Sequence, residues 1–127
     1  MSKISLPFHI KEVFNGMAET GGLFCLNDDK FSVEFQTKDS LVGLIKSKIN
    51  TILISLGDIA EVHFKNGFFR KTLTIRFSNL KVADQLPNQS SGELKVSIER
   101  RNADIALEFV SVLELKASEF VLKYPDK

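Results

Sequence analysis

One cysteine, one tyrosine, three prolines and no tryptophan occur among 127 residues. A lone thiol, Cys25, excludes an intramolecular disulfide and any zinc cluster built on cysteines, and it fits a reducing compartment. Neither charge dominates. Seventeen Lys and Arg against sixteen Asp and Glu leave a formal net charge of +1. That balance speaks against a nucleic-acid or membrane-surface role resting on bulk charge, and no nucleic-acid partner is expected. Long apolar runs are missing too. The opening MSKISLPFHIKEVF carries Lys11 and Glu12 early, so it reads as neither a signal peptide nor a membrane span, and a cytoplasmic location is expected. EF-hand spacing, a Walker A loop, a GxSxG elbow and HExxH are all absent from the sequence. With no nucleophile, base and orienting group to assemble, the expectation is a protein that is not an enzyme and needs no metal or cofactor.

Phenylalanine, by contrast, is plentiful. Eleven of the twelve aromatic residues are Phe, which needs no hydrogen-bond partner when buried, so the simplest reading is a Phe-packed interior. The 43% apolar and 26% charged content is ordinary for a globular protein, and the length suits a single domain over 1–127 with a core of its own.

The most informative stretch runs from Ile49 to Phe77, INTILISLGDIAEVHFKNGFFRKTLTIRF. Ile52, Ile54 and Leu56 alternate with Thr51, Leu53 and Ser55. Ala60, Val62 and Phe64 then oppose Ile59, Glu61, His63 and Lys65. Leu73, Ile75 and Phe77 oppose Thr72, Thr74 and Arg76. This period-two pattern bounded by Gly, Asp and Asn predicts three half-buried antiparallel strands. Asn66-Gly67 suits a two-residue type I′ turn, which places Phe64 opposite Phe69, Ala60 opposite Leu73 and Lys71 opposite Val62. A lysine on the apolar face fits only near an open rim. Gly57-Asp58 is read as a sharp corner between two sheets.

Ile4 to Phe14 alternates at Ile4, Leu6, Phe8 and Ile10, which favours a strand; a short helix from His9 to Met17 is the rival. Pro7 would confine that strand to an edge or a strand start. Asn15 to Gly22 reads as a loop or bulge. Leu23–Leu26 and Phe31–Gln36 form the next hairpin around Asn27-Asp28-Asp29-Lys30, and Leu23–Leu26, apolar on both faces, reads as central or covered. Lys38 to Lys48 stands open between a short helix, a loop and an irregular strand. In the long connection SNLKVADQLPNQSSG, Val82–Leu86 suggests one helical turn and Gln89–Gly92 a mobile tip. Leu94, Val96 and Ile98 mark the last strand.

The period then changes. Asn102 is a plausible N-cap with Asp104 in the first turn, and Ile105, Phe109, Val112, Leu113 and Phe120 recur at helical spacing. Ala106, Val110 and Val121 widen that stripe, Lys116 interrupts it, and Glu108, Ser111, Glu114 and Glu119 give a largely acidic outer face. The chain thus divides into an N-terminal strand and loop (1–20), strands (21–99) and a capping helix (102–122). About seven antiparallel strands forming a barrel or sandwich, capped by one C-terminal helix, is the expected fold class.

The segments ISLGDIAEVHF, RKTLTIRF and GELKVSIERRNADIALEFVSVL, in that order, resemble a pleckstrin-homology-like domain, close to the bacterial PH and GRAM-type modules. The resemblance spans about Gly21 to Phe120 and rests on element order and apolar spacing. It implies a binding or assembly module with a protein partner or a second copy of itself. Phosphoinositide-binding PH domains place Lys and Arg in the loop after the first strand. The corresponding loop here, Asn27–Lys30, is acidic on balance, which counts against inositol-phosphate binding at that place.

Most polar residues have a plain reading. His63 is a solvated surface histidine, no partner can be assigned to His9, and Cys25 is a small buried hydrophobe. Asp28-Asp29, Asp39 and Asp58 sit in different turns and serve turn chemistry. Two features stand out. At the hairpin tip, Phe68 points outward beside Lys65, Arg70 and Lys71, an exposed aromatic among cations that suits a protein partner or, alternatively, an anionic lipid or small ligand. Arg100 and Arg101, between last strand and helix, are candidates for a basic rim together with Lys46 and Lys48.

Overall fold

A computed structural model describes residues 3–13, 18–39, 49–86 and 89–124. The chain is mainly β, a PH-like antiparallel sandwich closed by a C-terminal helix. Its strands are β1 (Lys3–Val13), β2 (Ala18–Asn27), β3 (Lys30–Asp39), β4 (Asn50–Ile54), β5 (Ile59–Asn66), β6 (Lys71–Phe77), β7 (Gln89–Ser90) and β8 (Glu93–Ser97). A short helix α1 (Leu80–Ala83) precedes β7, and the long α2 (Ala103–Lys123) ends the described chain. Seven strands follow the order β4-β3-β2-β1-β8-β6-β5, and β7 pairs only with β8.

The sheet has a seam. β1 and β8 meet through a single pair, His9↔Ser97, whereas β1 pairs with β2 along most of its length. The seam divides a four-strand half, β4 to β1, from a three-strand half, β8, β6 and β5. The chain crosses between the halves at Leu56–Asp58, a 3-10 turn in which the Gly57 amide donates to the capping Ser55 hydroxyl at 3.2 Å. Asp58 sits in that turn, and the expected corner is therefore present.

Alternating side chains from both halves converge on one core: Leu6, Phe8, Phe24, Phe31, Val33, Ile54, Val62, Leu73, Ile75, Leu94 and Val96. Phe24 is its centre. It stacks on Phe8 at 4.4 Å and on Phe109 of α2 at 5.7 Å, with Phe31 at 6.0 Å. The phenylalanine-rich interior read from composition is present, and Phe109 carries this ring cluster from the sheet to the helix.

Several expectations need correction. Pro7 lies within β1, opposite Leu23, and β1 is interior to the strand order. It is tolerated because β8 pairs with β1 only at His9, so the flank beside Pro7 carries no ladder. Ala18–Gly22 belongs to β2, with residues 14–17 outside the described residues. Gly22 is there for space rather than for a turn: a Cβ would sit 2.4 Å from both the Glu34 carbonyl oxygen and the Phe8 ring. Lys38 and Asp39 are strand; residues 40–48, including Lys46 and Lys48, lie outside the described residues. The expected mobile tip pairs instead, with Gln89↔Leu94 and Ser90↔Glu93 closing on Ser91 and Gly92, both at positive φ. The helical turn begins at Leu80, two residues early, where the Asn79 side chain accepts from the Lys81 amide at 3.0 Å. Cys25 is half-buried beside Ser5, on the outer side of the sheet, rather than in the core.

Helix α2 buries Ala106, Phe109 and Leu113, with Val110, Val112 and Phe120 packed alongside. Ile105 and Val121, expected in the stripe, are exposed. Asn102 holds the N-cap position without a side-chain cap bond. Lys116 interrupts the stripe because its ammonium reaches Asp29 at 3.5 Å, tying the helix to the β2–β3 turn. The outer face is not mainly acidic, since Leu107, Leu115 and Leu122 are exposed on it.

Candidate functional site

The β5–β6 hairpin differs from its expected form in one decisive respect. Asn66 pairs with Lys71, Phe64 with Leu73 and Val62 with Ile75, so the loop holds four residues, Gly67-Phe68-Phe69-Arg70. The two-residue turn is overturned. The longer loop moves Lys71 from opposite Val62 to opposite Asn66, at the rim of the same face, and lets Val62 and Phe64 meet Ile75 and Leu73. Ala60 falls in an irregularity between Ile59 and Glu61 and is exposed.

The longer loop also frees a second aromatic. Phe68 is 81% and Phe69 88% exposed, and their rings meet edge-on at 4.8 Å. Phe69, expected opposite Phe64 on the apolar face, projects into solvent instead. Three side-chain hydrogen bonds, two local and one long-range, hold the loop in shape. The Lys71 ammonium donates to Asn66 Oδ1 and, at 3.2 Å, to the Gly67 carbonyl, bracing the turn from inside. The Arg100 guanidinium donates to the Phe68 carbonyl at 3.4 Å, so the turn before α2 holds the hairpin tip from outside.

The cations expected to act together are thereby sorted. Arg70 and Arg100 lie at the tip, Lys65 is exposed one pair back opposite Thr72, and Lys71 serves the loop itself. Arg101 pairs with Glu99 at 2.7 Å, so its charge is matched within its own turn. Beside the tip, on the outer side of the seam, lies a cleft of about 490 Å³ whose walls include His9, Phe69, Arg70, Lys71, Lys95 and Ser97. Thr72, Ser97 and His9 stand side by side across β6, β8 and β1. Neither His9 nor Lys95 was among the expected site residues. The alternation of Leu94, Val96 and Ile98 already puts Lys95 outside, but only the strand order brings it to the hairpin.

A second groove, of about 510 Å³, runs between the free edge of β5 and the C-terminal half of α2, lined by Ile59, Val62, Glu114, Ala117, Val121 and Leu122 among others. His63 is exposed, as expected. Among the described residues no three of His, Cys, Asp and Glu come close enough to hold a metal ion. No described helix is long and apolar enough to cross a membrane.

No protein-family model matches the chain, and no curated protein or solved structure is similar to it. What the site can do therefore rests on its own chemistry. Two aromatic rings on a braced loop, with two guanidinium groups and a basic cleft beside them, can grip a surface that is both apolar and anionic.

Proposed function

We propose that the chain is a non-catalytic, cytoplasmic binding module of the PH-like kind, engaging a protein partner through the tip of its β5–β6 hairpin. The observation that carries the reading is the paired exposure of Phe68 and Phe69 on a loop fixed by Lys71 and Arg100. Exposed aromatics and arginines are the residue types that dominate binding energy at interfaces. A loop already held in one shape loses little further freedom on binding, which raises affinity without added contacts. Replacing both rings, Phe68→Ser with Phe69→Ser, is expected to weaken capture of the partner by about 2 kcal/mol or more, roughly thirtyfold. A partner held equally well by the double variant would overturn the reading.

The basic cleft supports a second reading, an anionic ligand or lipid headgroup held by Arg70 and Lys95 with Phe69 at the rim. Flotation with phosphatidylserine vesicles against phosphatidylcholine alone separates the two. Binding that is insensitive to salt, or that survives neutralisation of Arg70 and Lys95, would remove the second reading.

A further inference from the structure

Helix α2 packs one face into the core and presents another apolar face outward. Leu107, Ser111, Leu115, Ser118 and Leu122 fall within an arc of about 80° at about 100° per residue, opposite the Phe109–Leu113 side. The three leucines are 48%, 58% and 82% exposed, and Val121 extends the patch at 56%. Isolated surface leucines need no explanation, but a continuous stripe along a 21-residue helix does.

The order of residues along the stripe says what covers it. Leu-Ser-Leu-Ser-Leu reads the same in both directions, with Leu115 next to its midpoint. In an antiparallel two-fold pair about that midpoint the outer leucines meet each other and the serines meet each other, as an isologous interface allows. We propose that α2 pairs with α2 of a second copy of this chain, antiparallel, about an axis near Glu114 and Leu115. Leu107 then meets Leu122 of the second copy, and each Ser111 lies opposite a Ser118, small residues that let the helices approach closely.

Charge agrees at the ends and opposes at the centre. Asp104 and Glu108, near the helix start, come towards Lys123 at the end of the other helix, and the two helix dipoles lie head to tail. Glu114 lies near its own symmetry mate, a like-charge pair that weakens the dimer. The dimer is independent of the hairpin tip: it uses none of the residues at Phe68–Lys71 or Arg100.

Sedimentation velocity across a concentration series tests it. The wild-type chain is expected to pass from monomer to dimer, Leu115→Glu and Leu122→Glu to stay monomeric with an unchanged circular-dichroism spectrum, and Glu114→Gln to dimerise several-fold more tightly. The hairpin variant Phe68→Ser should dimerise like wild type. Direction is read in a Cys25→Ser background. Ser111→Cys mixed with Ser118→Cys should form a disulfide-linked dimer on mild oxidation, while either variant alone should not, because like positions lie about 10 Å apart along the axis and a disulfide needs Cα atoms within about 7 Å. A wild-type chain that stays monomeric throughout, as it would if the β5–α2 groove takes an extended peptide instead, overturns the proposal. So does a dimer that survives Leu115→Glu and Leu122→Glu, or cross-linking of either cysteine variant with itself.

Discussion

Phe109→Ala should separate the two populations of phenylalanine in this chain. Phe109 is fully buried, its ring 5.7 Å from Phe24 and 6.0 Å from Phe31, so truncation removes both ring contacts and leaves a cavity where helix meets sheet. Buried Phe→Ala changes cost about 3–5 kcal/mol. Unfolding entropy of about 2.1 cal/mol/K per residue gives about 0.27 kcal/mol/K for a chain of this length, so Tm should fall by about 11–19 °C. Phe68→Ser or Phe69→Ser, replacing rings that are almost wholly in solvent, should stay within about 0.5 kcal/mol of wild type, a shift of about 2 °C. Scanning calorimetry or thermal circular dichroism on the three variants supplies the comparison. If Phe109→Ala costs less than about 1 kcal/mol, α2 is not docked through this ring; if the tip variants cost as much as Phe109→Ala, the tip rings are core and the proposed binding surface disappears.

Adjacent glycines give a second contrast. Gly22→Ala drives a methyl into the Glu34 carbonyl oxygen and the Phe8 ring and should destabilise by about 1–3 kcal/mol, whereas Gly21→Ala, with nothing within 4 Å of the added carbon, should be neutral or stabilise by up to about 1 kcal/mol; urea unfolding checks both. Lys71→Met keeps the apolar stem but loses the bonds to Asn66 and Gly67, so it should cost about 1 kcal/mol and speed amide hydrogen exchange at residues 67–70 more than in β8.

Much of the fold was legible because period-two alternation and helical spacing report burial directly. Spacing alone turns Leu73, Ile75, Leu94, Val96, Phe109 and Leu113 inward, and each is buried. Register was less legible. Asn66-Gly67 is so strong a signal for a two-residue turn that it outweighed the polar clash it created at Lys71, and that clash was the available hint of a longer loop. Gly22 could not be read at all from local pattern, because what it accommodates is the Phe8 ring on a neighbouring strand.

The candidate site divides the same way. Phe68 was visible as an aromatic among cations, while Phe69 was hidden by the register error. Arg100 bonding to Phe68, 32 residues away, and His9 meeting Ser97 across the seam depend on strand order, which no local window contains. On α2, Glu108, Glu114 and Glu119 share the outward side with the leucines between them, so the apolar stripe is masked in the sequence by charge.

The claim that the hairpin tip is the binding surface is tested most directly by site-specific photocross-linking. A benzophenone amino acid placed at Phe68 and, as a control on another exposed apolar position away from the tip, at Leu80 reports what each position touches in cells. A discrete adduct at position 68, absent at position 80, is predicted. No adduct at 68, or the same adducts at both positions, would contradict it.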